Sequence, residues 1–397
     1  MDELIHATIH DALDVQEPPG LRARVIRAVP MDRPRRRQWR LPRVSGQWAA
    51  GLAAIVVTAA LLIALAGTRI GSHPAAPGPV GPGLRLTNPS GIAVAPDGTV
   101  YVADYNHSRV YRVRSDGALV VVAGGGSLAE GPGTQSNIFG PMALQFDSDG
   151  NLLIAENAGT SIGRLDPNGN LTTVYSSFGR VWGLAISPSG PLYASLGDRV
   201  AAILPGTQSP VDLSSVAGPV VWPGYIAFDA RGNLYVADLA PVKTSIQLTP
   251  PAPGGCRIIR VAPDNSVSVI AGTGQCGYSG DGGPAVNAKL DDPNGIAFDP
   301  AGNLYFADSN NERIRKIDTR GVITTVAGNG AGGHSGDNGP ALNARLGQLS
   351  GVHIANGRYL YFAEDIGGMN SYGAVRVVDL RTGIIRTVVD SYSRVVS

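Results

Sequence analysis

The chain is poor in the residues that usually announce chemistry. It has two cysteines and six histidines in 397 residues, charged side chains make up 16% and aromatics 6%. Two cysteines exclude iron–sulfur clusters and cysteine-rich zinc modules, and no C-x-x-C or Cys/His cluster suggests a metal. No phosphate-binding loop of the form G-x-x-x-x-G-K-[ST] is present. Net charge is +1, and outside residues 1–46 the balance is 23 basic to 25 acidic residues. That near neutrality excludes the broad basic field of a nucleic-acid binder.

What the chain has in quantity is glycine and proline, 53 and 29 residues, enough for many turns. They punctuate a motif of apolar strand, D/G/N turn and second apolar strand ending in an acid. Six copies occur: SGIAVAPDGTVYVAD (90–104), MALQFDSDGNLLIAE (142–156), GLAISPSGPLYAS (183–195), YIAFDARGNLYVAD (225–238), GIAFDPAGNLYFAD (295–308) and GVHIANGRYLYFAE (351–364). The turn glycines Gly98, Gly150, Gly190, Gly232, Gly302 and Gly357 are 52, 40, 42, 70 and 55 residues apart, in the range of propeller blades. Each repeat reads as four strands, clearest in the fifth: GIAFD, LYFAD, RIRKID and ITTVAG. A lone four-stranded sheet cannot bury both faces, so six should stack radially, giving an all-β six-bladed β-propeller over residues 84–397. The third copy is the outlier, because ASLGDRV (194–200) lacks the strand-end acid; closure of the ring through LRL (84–86) or YSRVVS (392–397) is open.

GNLYVAD and GNLYFADSNNERIRKID resemble NHL repeats, and residues 84–397 resemble a six-bladed NHL propeller. The resemblance implies a binding scaffold, since NHL propellers form the external sensor of some bacterial receptor kinases. It also brings an alternative, because some related propellers are lyases or lactonases with a metal in the central channel.

Ahead of the repeats, Ala49–Ala66 is an 18-residue run without charge, about 27 Å as a helix against a hydrocarbon core of about 30 Å. Nine arginines precede it, from Arg22 to Arg43, and the positive-inside rule then puts the N-terminus in the cytoplasm. The expected layout is a cytoplasmic Arg-rich tail (1–46) with two short helical patterns, a transmembrane helix (47–67), a Pro/Gly spacer (68–83) and an extracytoplasmic propeller. A signal peptide cleaved after Ala66 is the alternative. Arginine outnumbers lysine 29 to 3, consistent with a GC-rich bacterial genome and hence a bacterial cell membrane.

In an exported domain thiols tend to pair, and a hairpin turning at Asp264–Asn265 would bring Cys256 and Cys276 together; two buried free thiols are the alternative. Strand parity puts the loops joining strands two and three, and those joining strand four to the next blade, on one face. That face collects His107 and Asn310, and the insertions AGTGQCGYSGDGGPAVNAKL (271–290) and AGNGAGGHSGDNGPALNARL (327–346), with Tyr278, Asp281 and Asp337. These five are the ligand-face candidates. Asp281 and Asp337 are read as turn formers rather than calcium ligands, because further carboxylates are missing. The strand-end acids Asp104, Glu156, Asp238 and Asp308 are expected to pair with strand-three arginines such as Arg109 and Arg313, or to bond loop amides. His353 alone falls on an inner strand, where it is expected as a hydrogen-bonded core histidine. No catalytic residue, metal ligand or cofactor is assigned.

The expected function is a membrane-anchored binding or sensor module for a protein, peptide or cell-wall glycan, with a further partner that could dock on the cytoplasmic tail. Alternatives are an exported channel enzyme of the lyase or lactonase type, and a structural scaffold.

Overall fold

The computed structural model describes residues 86–397, apart from 177–178, 198, 205–210, 213–222, 240–254, 368–371, 392–394 and 397. The expected tail, membrane helix and spacer (1–83) lie outside the described residues. Among the described residues, no helix is long and apolar enough to cross a membrane.

Six antiparallel sheets form, one per repeat. In blade five the strands are Pro293–Phe298, Leu304–Asp308, Arg313–Ile317 and Ile323–Ala327, in that spatial order. The first strands of successive blades adjoin one another, and that of blade six adjoins that of blade one, so the ring is closed with strand one innermost. Blade three, Val181–Ile186, Leu192–Leu196, Arg199–Ile203 and Val211–Asp212, joins the ring although Leu196 stands where the other blades carry an acid.

Glycine near the start of strand one lets the inner strands meet. A Cβ on Gly295 would stand 2.2 Å from Ser350 O, and one on Gly91 2.7 Å from Met142 O. Blade four has Tyr225 at this position; it reaches over Gly183 of blade three and donates its hydroxyl to Met142 O of blade two, 2.8 Å away. Between blades the apolar faces interlock. Tyr101–Phe146, Tyr193–Phe228 and Tyr235–Phe298 repeat one edge-to-face contact, strand two of one blade against strand one of the next, with ring centroids 4.8–5.3 Å apart. Phe306 and Phe362 are wholly buried. Each contributes about 1.5–3 kcal/mol through burial.

Both ends of the domain close the seam. Leu86 is fully buried and its carbonyl accepts from Gly373 N of blade six, 3.1 Å. Val395–Val396 adds a fifth strand, parallel to Leu119–Val120, at the outer edge of blade one. Chain from both termini thus bridges the first and last blades.

Candidate functional site: the loop face and its flanking insertions

The two-to-three loops and the linkers into strand one lie side by side, held by Gly140 N to Ser108 Oγ (3.3 Å) and Asn310 Nδ2 to Asp291 Oδ1 (3.1 Å). The strand-end acids organise this face. Four of them, each opposite the start of strand one, accept the backbone N–H of the residue 17 positions upstream: Thr87 to Asp104 (3.2 Å), Phe139 to Glu156 (3.0 Å), Asp291 to Asp308 (2.7 Å) and Gly347 to Glu364 (3.0 Å). A charged acceptor on an otherwise orphaned amide is a strong hydrogen bond, and it fixes where each linker enters its blade.

Strand-three arginines meet the acid in blades four and five, but neither Arg109 nor Arg313 is the partner. Asp238 is bonded by Arg257, the first residue of strand three, with Nη2 at 2.5 Å. Asp308 is bonded instead by Arg315, two residues further along the strand than Arg313, at 2.9 Å. Burial is the largest influence on Asp308 and pushes its carboxyl up to about 6, against the Asp291 amide and Arg315. Asp104 takes His107 Nδ1 at 2.8 Å rather than Arg109. Glu156 meets Gly163 where blade five has Arg315, and it depends on the Phe139 amide. Its carboxyl is raised by burial, which outweighs that amide and Ser161.

Arg313 does not reach the acid because it has another use. Its guanidinium donates to the carbonyls of Asn311 and Asn329, both at 2.8 Å, and lies 3.8 Å from the centre of the Tyr278 ring.

The insertions start on the loop face but their glycine-rich segments pair along the outer edge of the following blade. Gly282 N donates to Ile323 O and Ile323 N to Gly283 O; Asn338 N and Ile385 repeat the pattern on blade six. Asp281 and Asp337 therefore lie on the circumference, each against an arginine that crosses the blade. Arg315 bonds Asp281 at 2.8 Å, and Arg376 bonds Asp337 at 2.6 Å. Both arginines are wholly buried. Burial opposes ionisation of both aspartates, but Thr325 and Arg315, and Thr387 and Arg376, hold them below the ordinary carboxylate range. Both side chains are thus consumed by structure, as turn formers would be.

Cys256 and Cys276 form a disulfide that anchors the first insertion, with Cα atoms 5.3 Å apart. Asp291 lies close enough to make these three the one potential metal-ligand group among the described residues, but the disulfide occupies both sulfurs. The second insertion is held instead by His334, whose Nδ1 meets Glu364 and whose Nε2 lies 3.3 Å from Thr387 Oγ1. Thus His107, Asn310 and Tyr278 reach one face but sit in separate clusters, and the structure does not converge them on one point. Exposed at its edge are Tyr278, 42% accessible, and Phe139, 50% accessible. Phe139 was not singled out from sequence; an aromatic directly before a strand-opening Gly-Pro was the available signal.

The channel is separate. A cavity of about 260 Å³ lies among the inner strands, and His353 and Gln145 line it at positions where blades one, three, four and five have Ala93, Ala185, Ala227 and Ala297. Contrary to the expectation of a bonded core histidine, His353 has no hydrogen-bond partner among the described residues. Burial lowers its imidazole to about 4, so it is neutral at pH 7.

Comparison with known proteins decides the family. The sequence pattern described as "Teneurin NHL domain" matches residues 121–332, and an NHL repeat matches 86–111. The chain belongs to the teneurin NHL domain family. Chicken teneurin-1 is 48% identical over 69 residues, 16% of this chain and 2% of that protein; mouse teneurin-4 is 28% identical over 199 residues, 49% and 6%. The chain thus spans only a small fraction of the curated teneurins it matches. Among solved structures, a protein of unknown function from Bacteroides thetaiotaomicron superposes with TM-score 0.57 at 18% identity, covering 73% of this chain and 70% of that one. An auxiliary nutrient binding protein from the same organism gives 0.53 at 14%, covering 77% and 70%. At such identity these likenesses establish the propeller fold of this teneurin NHL relative and nothing of its ligand.

Proposed function

We propose that this protein is a membrane-anchored, extracytoplasmic binding or sensor module whose loop face meets a protein, peptide or cell-wall glycan. The observation that carries the reading is how firmly that face is built: buried arginines, strand-end acids and a disulfide fix its loops, while Tyr278 and Phe139 stay exposed. A binder gains affinity from loops ordered before the partner arrives, and exposed aromatics are common anchors. The disulfide suits an oxidising compartment, and the apolar run 49–66 behind nine arginines suits an anchor with the propeller outside.

The channel supports the lyase or lactonase reading less well. A metal site there needs three or four His or carboxylate donors, and among the described residues His353 is the one such donor lining the cavity.

The test has two arms. Protease added to intact cells should degrade the propeller and spare residues 1–46; protection of the propeller would contradict the topology. Purified full-length protein should be retained by isolated peptidoglycan or by immobilised surface-protein extract, and Phe139→Ala with Tyr278→Ala should abolish retention while the protein still unfolds cooperatively, at a Tm lowered by loss of the Tyr278 contacts to Arg313 and Asp281. Equal retention of that double variant would contradict the loop-face assignment.

A further inference from the structure

A second place on the propeller has unmet bonding capacity. On the face opposite the loop face, a groove of about 470 Å³ runs between blades four and five. Its floor is apolar, from Tyr235, Ile270, Phe298, Leu304 and Ile317, and Arg260 lines it. Arg260 pairs across the ladder with Tyr235, a position that holds Arg112, Arg164 and Lys316 in blades one, two and five. Arg112 and Arg164 are exposed to solvent. Arg260 is half-buried; its Nε is wholly buried and bonds nothing, and the guanidinium has no hydrogen-bond or ion-pair partner among the described residues. Ser268, opposite Arg260 in register, also leaves its buried Oγ unpartnered. Arg315 and Arg376 have a bare Nε too, but their terminal nitrogens are spent on acids.

The nearby acids do not serve Arg260. Asp229 accepts from the amides of Arg231 and Asn233, from Asn233 Nδ2 and from Tyr235 Oη. Asp318 is bonded by Arg320 and by the Val322 amide. Asp264 takes the Ser266 amide and feels Arg260 only at a distance. Arg231, exposed at the mouth of the groove, adds a second cation. Buried donors without an acceptor are rare in folded proteins, and one over an apolar floor fits an anionic group joined to an apolar body.

We propose that this groove binds a small carboxylate with an aromatic or branched aliphatic body, its carboxylate on Arg260 and its body against Tyr235, Ile270 and Phe298. The carboxylate would supply acceptors in the plane of the guanidinium fork, a geometry that an ammonium cannot match. The same chemistry could come from a free organic acid or from the C-terminal residue of a peptide. This site is independent of the loop face, so either can fail alone.

The test uses the full-length protein and titration calorimetry with 3-phenylpropionate, its neutral amide 3-phenylpropanamide, inorganic phosphate, and a tripeptide ending in phenylalanine. The expected result is saturable binding of 3-phenylpropionate, with the amide and phosphate at least about tenfold weaker, the range of a charge-assisted hydrogen bond. Arg260→Met should lose that preference for acid over amide, and Arg260→Lys should keep only part of it. Tighter binding of the tripeptide than of the free acid would assign the source to peptide termini; the reverse would assign it to small acids. No saturable binding of 3-phenylpropionate, equal binding of acid and amide by the wild type, or an unchanged preference in Arg260→Lys would overturn the proposal.

Discussion

Asp281, on a surface insertion, lies 2.8 Å from the guanidinium of Arg315, a side chain wholly buried in the next blade. Arg315 also holds Asp308, at 2.9 Å. One arginine therefore ties the insertion, the strand-end acid and, through the Asp291 amide, the linker into strand one. Arg376 repeats this with Asp337, at 2.6 Å, and stands 3.8 Å from Glu364.

Arg315→Met should leave buried Asp308 without its counter-charge. Breaking a buried pair by removing one partner costs about 3–5 kcal/mol. Denaturant unfolding should show a loss of that order, whereas Asp281→Asn, at a half-exposed carboxylate, should lose about 1 kcal/mol or less. Equal effects would contradict the central position given to Arg315.

Removing the disulfide should act locally. It closes a separation of 20 residues, for which chain entropy gives about 3 kcal/mol. The double variant Cys256→Ser with Cys276→Ser should lose about that much, with faster hydrogen exchange confined to blade four and residues 273–290. Loosening spread through blades one and two would be inconsistent with this anchoring.

His353 gives the domain an acid-labile element. Folding lowers its imidazole to about 4 from an ordinary 6.5, so the unfolded chain binds the extra proton first. Stability is intact above pH 6.5 and is lost as pH falls from there to about 4. His353→Gln should flatten Tm across that window; an unchanged profile would show that the imidazole is solvated in the channel.

Glu156 works in the other direction. Folding raises its carboxyl, so the native state holds more protons than the unfolded chain just above the ordinary carboxylate range, and stability falls as pH rises through that window. Glu156→Gln keeps an acceptor for Phe139 N without burying a charge. The variant should match or exceed the wild-type Tm at pH 7 and lose that advantage below about pH 4.

Gly295→Ala would put a methyl 2.2 Å from Ser350 O. Overpacking of this kind costs about 1–3 kcal/mol, and Gly321→Ala, at a turn with nothing within 4 Å, should lose less. Comparing the two Tm values separates ring closure from backbone strain, since only Gly321 has positive φ, +81°.

The propeller was legible because each repeat carries a local turn signal and two periodic strands, and neither depends on distant contacts. The disulfide was legible for the same reason, since its hairpin is local. The site was less so. Asp308 choosing Arg315 over Arg313 depends on which strand face meets the next insertion, and an arginine inside an alternating strand looks solvent-facing until that loop covers it. Asp281 read as a loop-face residue because sequence shows a loop's length but not the edge it will pair with. The amide 17 residues upstream of Asp104, Glu156, Asp308 and Glu364 is a constant spacing in the sequence, but it acquires meaning only once the ladder places the acid opposite the start of strand one.

The central claim is that the loop face is built rigid before any partner arrives, and amide hydrogen exchange of the full-length protein tests it most directly. The account predicts that the amides of Thr87, Phe139, Asp291 and Gly347, which donate to the strand-end acids, exchange as slowly as amides of the blade strands. Exchange of these loop-face amides at the rate of an unprotected chain, with the blade strands still protected, would contradict it.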